Sequence, residues 1–308
     1  MQSPAADKPA PWTPRRAPRR AIANIRDARL ATREWGDPAM PPVVLLHGWM
    51  DASSSWQFLV DELPDPLFAR HRWCAFDWRG FGDSAWPAAD TYWFAEYHAD
   101  LDALLDHFSG NGPVTLIGHS MGGNIACIYA GLRPTRVARL VSLEGFGLPD
   151  MPAEGAPERI VQWLDHLRAS PGAMRPYPRL DDVAERLRRA NPRLSVPRSL
   201  YLAAEQAKPV EGGFALKHDP RHKSPGPYSY RLAEAMAAWR RITAPTLWVQ
   251  GDRSDLLTRF HGADDTDLAS RAACVANIRR ATIADAGHML QHDQPVALAQ
   301  VLADFFAR

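Results

Sequence analysis

Short apolar runs alternate with stretches of helical spacing along this 308-residue chain, and nearly every run ends at Gly, Asp or His. Those two observations predict an α/β fold: a mostly parallel central sheet with helices on both faces. A third, the chain's length, is ample for one large domain carrying an insertion. In such sheets functional groups collect beyond the carboxyl ends of the strands.

The elements follow in order. "RLATREWGD" reads as an early strand closing in a turn at Gly36-Asp37, and "PVVLLHG" as a buried strand over Val43 to Leu46. "RWCAFDWRGFGDS" repeats the form, an apolar run followed by a loop rich in Asp and Gly. "ADLDALLDHF" has helical spacing at Leu101, Leu104 and Leu105. "PVTLIGHS" is a strand, and "NIACIYAGLR" is the buried helix directly after it. "VARLVSLEGFG", "APTLWVQGD" and "ATIADAGH" supply three more strands, and "VALAQVLADFFAR" a closing helix. His47, Asp77, Ser120, Glu144, Asp255 and His288 all follow strand ends.

The alternation breaks between Phe146 and Trp239. Ile160, Trp163, Leu164 and Leu167 lie at i, i+3, i+4 and i+7, "DDVAERLRRA" and "RLAEAMAAWRR" are helical, and Pro and Gly punctuate the stretch. The expected organisation is a core of residues 21–146 and 241–308 with a helical cap at 147–240. Residues 1–20 read as a solvated, disordered tail rich in Pro and Arg, without the apolar stretch of a secretory signal.

The formal net charge of +1 gives no reason to expect nucleic acid or an anionic membrane as partner. No apolar run reaches the length of a membrane span. Cys74, Cys127 and Cys274 form no CxxC and read as buried free thiols. The expectation is a soluble cytoplasmic protein. Neither GxxxxGK[ST] nor GxGxxG occurs, so no nucleotide cofactor is indicated. His218 and His222 are four apart, but Pro220 between them argues against a metal site and for a solvated turn.

Gly118-His119-Ser120-Met121-Gly122 fits G-x-S-x-G between a strand and an apolar helix. A sharp strand-to-helix turn forces the serine into an unfavourable backbone conformation, and glycines on either side let the turn close. Together "LLHGWMDASSSW", "FDWRGFGDS", "GHSMGG", "PTLWVQGDRSDLL" and "AGHMLQHDQP" resemble, in the same order, the motifs of the α/β-hydrolase superfamily, from about Ile22 to the carboxyl end. Within it the chain looks most like serine-hydrolase-like proteins, and "HGW" is similar to the cofactor-free haloperoxidase and esterase group.

The resemblance implies a cofactor-free serine hydrolase acting on a small-molecule acyl substrate, a carboxylic ester or related bond. Carbon–carbon bond hydrolases, thioesterases and lactonases with the same residues, or a non-catalytic binding member of the fold, are the alternatives. It makes Ser120 the nucleophile and His288 its base, and assigns oxyanion donation to the backbone N–H groups of Trp49 and Met121. The Trp49 indole would form a pocket wall. His119 and His47 are assigned structural roles, His292 a supporting or surface one, and Asp77 and Arg79 the bracing of loops. Two acids compete to orient His288. Loop position and the order Ser120, Asp255, His288 favour Asp255, while its neighbour Asp252 reads as a turn residue beside Gly251. Glu144, in "LEGFG", is the alternative, since some relatives place the acid after that strand.

Overall fold

The computed structural model describes residues 9–169, 175–262 and 265–308. The sheet has eight strands: β1 (Arg19–Ile25), β2 (Ala28–Trp35), β3 (Pro42–Leu46), β4 (Arg72–Phe76), β5 (Val114–His119), β6 (Val137–Leu143), β9 (Thr246–Gly251) and β10 (Ile278–Ile283). Their order is β1-β2-β4-β3-β5-β6-β9-β10. β1 and β2 pair antiparallel, as do β2 and β4, and every later pair is parallel. The chain thus has the α/β-hydrolase fold class expected.

Period-two alternation explains why both faces are buried. Val44, Leu46 and Leu116 point into one apolar core, covered by α3 (Phe94–Ser109) and α4 (Met121–Leu132). Val43, Leu45 and Ile117 point into the other, covered by α1 (Gln57–Glu62) and α12 (Pro295–Phe306). The short α2 (Asp65–Ala69), α9 (Asp255–His261), α10 (Thr266–Ala272) and α11 (Leu290–Asp293) complete the core connections. Cys74 and Cys127 are buried within it, and burial pushes both thiols up to about 12; Cys274 is only half-buried.

Between β6 and β9 lie α5 (Ala156–Arg168), α6 (Leu180–Ala190), α7 (Val196–Gln206), the hairpin β7 (Ala207–Val210) and β8 (Gly213–Leu216), and α8 (Leu232–Trp239). The hairpin and α7 had no clear periodic signal. α8 differs in position from a cap element. It packs on α4 so closely that a Cβ at Gly131 would meet the Ala238 carbonyl oxygen at 1.9 Å, and Trp239 joins the main core. Among the described residues of α5 none is buried; its indole at Trp163 donates to Thr91 Oγ1 at 3.0 Å.

Two expectations are corrected. Of the tail, residues 1–8 lie outside the described residues, but the rest is strapped down. Trp12 donates from its indole to Asp61 in α1 (3.0 Å) and from its backbone N–H to the Pro197 carbonyl in α7 (2.8 Å). Its ring meets Phe58 edge-on at 5.7 Å, with the Arg198 guanidinium 5.0 Å from the ring centroid. Tryptophan supplies apolar area and a donor at once, which polar composition around it conceals. The His218–His222 turn is buried rather than solvated. His222 stacks between Phe81 and Tyr92, at 3.7 and 3.6 Å, while Asp219 accepts from Tyr92 at 2.8 Å. Among the described residues no group of His, Cys, Asp and Glu is arranged to hold a metal, and no helix is long and apolar enough to cross a membrane.

Candidate active site

Ser120 sits between β5 and α4 with φ 52° and ψ −115°. The left-handed region is costly for a residue with a Cβ, and three contacts hold it there. Its N–H donates to the Leu143 carbonyl at 2.8 Å, and its own carbonyl accepts from Asn124 N–H at 2.9 Å. Gly145 presses against the turn from β6: a Cβ there would lie 2.6 Å from the Ser120 carbonyl oxygen and 2.7 Å from Gly123 Cα. Gly122 is equally constrained, since a Cβ would meet the Leu46 carbonyl oxygen at 2.2 Å.

Met121 N–H is the first of α4, where helical amides lack intrahelical acceptors. Trp49 stands in the loop after β3 and donates no backbone hydrogen bond among the described residues. That loop closes on the serine turn, for a Cβ at Gly48 would lie 3.3 Å from Ser120 Cβ. His47 braces it from below. Its Nε2 accepts from Trp78 N–H at 3.0 Å, so Nδ1 carries the proton and donates to the Gly48 carbonyl at 2.8 Å. Asp77 accepts from the amides of Ser53 and Asp83, and Arg79 is tied to Asp100; both hold loops, as read from the sequence.

His288 follows β10 and keeps 26% of its side chain exposed. His119 links it to the serine turn: His119 Nε2 donates to the His288 carbonyl at 2.8 Å, with ring centroids 4.8 Å apart. Burial first, then the neighbouring His288, holds the His119 imidazole well below its ordinary pKa, so it stays neutral. No hydrogen bond joins Ser120 to His288 themselves among the described residues. His292 is buried edge-on to Phe58 at 5.6 Å, a packing position.

The acid against His288 is Glu144. Its Oε2 lies 3.2 Å from His288 Nδ1, and its side chain is wholly buried. Two further donors converge on it, Gly251 N–H at 2.8 Å and the Ser254 hydroxyl. An ionised carboxylate has acceptor capacity for all three. Glu144 achieves this aim through φ 56°, a second left-handed residue, immediately after β6.

Asp255 does not meet His288, contrary to the favoured reading. It is exposed, as the first residue of α9. Ser254 is the N-cap of that helix, accepting from Leu257 N–H while its hydroxyl reaches inward to Glu144. One residue later the helix has turned, and the Asp255 carboxylate faces solvent at the positive helix end, where it is favourable. Asp252 is also exposed. Ser254 was not singled out in the sequence; its signal is Ser-Asp-Leu-Leu directly after a strand-ending loop, a helix N-cap pattern.

A cavity of about 210 Å³ opens beside the Trp49 loop, between it and the insertion. Trp49, half exposed at 53%, forms one wall, and Arg186, Lys217, His218 and Lys223 line the other side.

Comparison with known proteins agrees with this architecture. A family model described as the alpha/beta hydrolase fold matches residues 41–295. A serine hydrolase-like protein of Danio rerio is 26% identical over 305 residues, covering 93% of this chain and 89% of that protein. A 3-hydroxybutyrate-oligomer hydrolase of Cupriavidus necator is 30% identical over 292 residues, covering 90% and 92%. The solved thioesterase domain from the curacin biosynthetic pathway superposes with a TM-score of 0.81 at 26% identity, covering 93% of this chain and 99% of that one. With its sheet order, its strained serine between β5 and α4, and the family match over residues 41–295, this chain belongs to the α/β-hydrolase family.

Proposed function

We propose that the protein is a cofactor-free serine hydrolase that cleaves a carboxylic ester or related acyl bond through an acyl-enzyme on Ser120. The Glu144–His288 contact carries this reading. A serine hydroxyl is a poor nucleophile unless a base takes its proton. An imidazole whose Nδ1–H is held by a buried carboxylate presents Nε2 as that base, in one fixed tautomer. His288 receives the Ser120 proton as Oγ attacks the carbonyl, and returns it to the leaving group. The tetrahedral oxyanion takes donors from Trp49 and Met121 N–H, beside the positive end of α4. Water then attacks the acyl-serine, with the same base accepting its proton and passing it to Ser120 Oγ as the bond from Oγ to the acyl carbon breaks and the acid leaves.

In this reading Glu144, not Asp255, is the acid. The names of two relatives, an oligomer hydrolase and a thioesterase, support an acyl bond and leave oxygen and sulfur leaving groups as the two arms of a substrate panel. Labelling with a small fluorophosphonate tests the central claim. The wild-type protein should form a covalent adduct at Ser120, and Ser120→Ala should form none and lose on the order of 10⁴- to 10⁶-fold in ester turnover. An unlabelled wild-type protein that still binds acyl compounds would make this a non-catalytic member of the fold.

A further inference from the structure

The cavity beside Trp49 has a polarity that a general ester pocket does not need. Its cationic side chains, Arg186 of α6, Lys217 after β8 and Lys223 beyond it, all come from the insertion, across from the Trp49–Asp51 loop. Lys217 is already paired, with Asp83 at 2.7 Å. Among the described residues Arg186 and Lys223 have no acidic partner. His218, between them in the lining, adds no charge, because burial and these same cations hold it down to about 4. The one carboxylate in the lining, Asp51, sits on the opposite loop, buried, with Oδ1 accepting from Ser55 and from Gln206 Nε2. With Lys217 paired, two cations of the insertion, Arg186 and Lys223, stand against this one carboxylate, whose Oδ2 has no hydrogen-bond partner, so the lining keeps a surplus positive charge, and the proposed oxyanion donor Trp49 belongs to the same lining.

We infer that the substrate carries an anionic group, a carboxylate or a phosphate, which Arg186 and Lys223 bind while its acyl carbon lies at Ser120. The inference rests on the hydrolase reading and narrows its substrate class. A guanidinium recognises either anion through paired N–H donors, and an ammonium adds a point charge. At about 210 Å³ the cavity is smaller than the ~300–1,000 Å³ of sites for drug-sized ligands, which suits a short charged chain.

Two matched substrate pairs test this and separate the anion's source: phenyl glutarate monoester against phenyl valerate, and monobutyryl glycerol phosphate against monobutyryl glycerol. The wild-type protein should favour the anionic member of at least one pair by about tenfold or more in kcat/KM, and the pair that responds identifies carboxylate or phosphate. The preference should shrink as salt rises, because Lys223 is exposed and Arg186 only half-buried. In R186Q/K223Q the anionic-to-neutral ratio should fall toward one. A wild-type ratio near or below one in both pairs, or a ratio unchanged in the double variant, overturns the inference. Should the variant fail to fold, the wild-type ratios and their salt dependence decide alone. Fluorophosphonate labelling of the wild-type protein keeps the two failures apart. A labelled protein without anionic preference sinks only the substrate class, whereas an unlabelled one sinks the hydrolase reading beneath it.

Discussion

Ser120 and Glu144 share an unusual property: both are non-glycine residues held at positive φ, 52° and 56°, one strand apart. Such conformations cost about 1–3 kcal/mol each and persist only where surroundings over-determine them. Here the surroundings are each other's, since Gly145 follows the acid and wedges against the serine turn. The assignment of the acid has a direct test. Glu144→Gln should keep the shape yet lower turnover by about 10⁴-fold, as loss of a carboxylate against the base does elsewhere, whereas Asp255→Asn should leave kcat/KM within a few fold. Ser254→Ala removes a donor to Glu144 and should cost about tenfold in kcat with little change in KM. Steady-state kinetics on the three variants settles the order; a large loss at Asp255 with a mild one at Glu144 would restore the loop acid. The strand-to-helix position of Ser120 and the place of His288 after the last strand were legible because each follows a strand end with a recognisable turn. Glu144 was legible only as an alternative. Its inward aim depends on a left-handed φ that a glutamate does not advertise, and Ser254 and Asp255 differ by a single step of helical rotation.

At the scale of elements, β5, β6 and α4 form one close-packed unit in which glycines are spacers. Gly145→Ala introduces a Cβ with backbone on three sides, at 2.6, 2.7 and 2.9 Å, none of which a rotamer change relieves. Overpacking of this kind costs about 1–3 kcal/mol, and the displacement falls on Ser120. The expected result is a lowered denaturation midpoint together with loss of phosphonate labelling. A variant of normal midpoint and normal labelling would show that the elbow is not held by this contact. The main strands were readable because burial on both faces leaves continuous apolar runs, as in Val43–Leu46. The β7–β8 hairpin was not: each strand has four residues, and Pro209 and Gly213 interrupt any alternation. α8 was read as a helix but assigned to the cap. Its Ala-rich face looks like that of any small amphipathic helix until Gly131 of α4 is seen to admit it.

Across the whole molecule, several imidazoles are buried in the neutral state. Burial holds His98 and His218 down to about 4 and His222 to about 3. In the unfolded chain these rings take up protons near pH 6.5, so between that pH and 3–4 the unfolded state binds more protons than the folded one. Their contribution to stability is complete above about pH 6.5 and is lost as pH falls toward 3–4, by up to ~1.4 kcal/mol per pH unit for each ring. Chemical denaturation at pH 7, 6 and 5 should show a falling midpoint, and His222→Gln should make the fall shallower. A flat profile would mean that these rings are protonated in the fold. The amino-terminal strap has a consequence in the timing of biosynthesis. Trp12 and Arg20 are made well before their partners Pro197 and Glu205, the latter 185 positions after Arg20. At about 5–20 residues per second, a ribosome needs roughly ten to forty seconds to supply them. The strap can lay its indole on Phe58 and Asp61 early, but its backbone and Arg20 contacts to α7 wait until that helix has emerged, so its fastening on the ribosome comes in two stages.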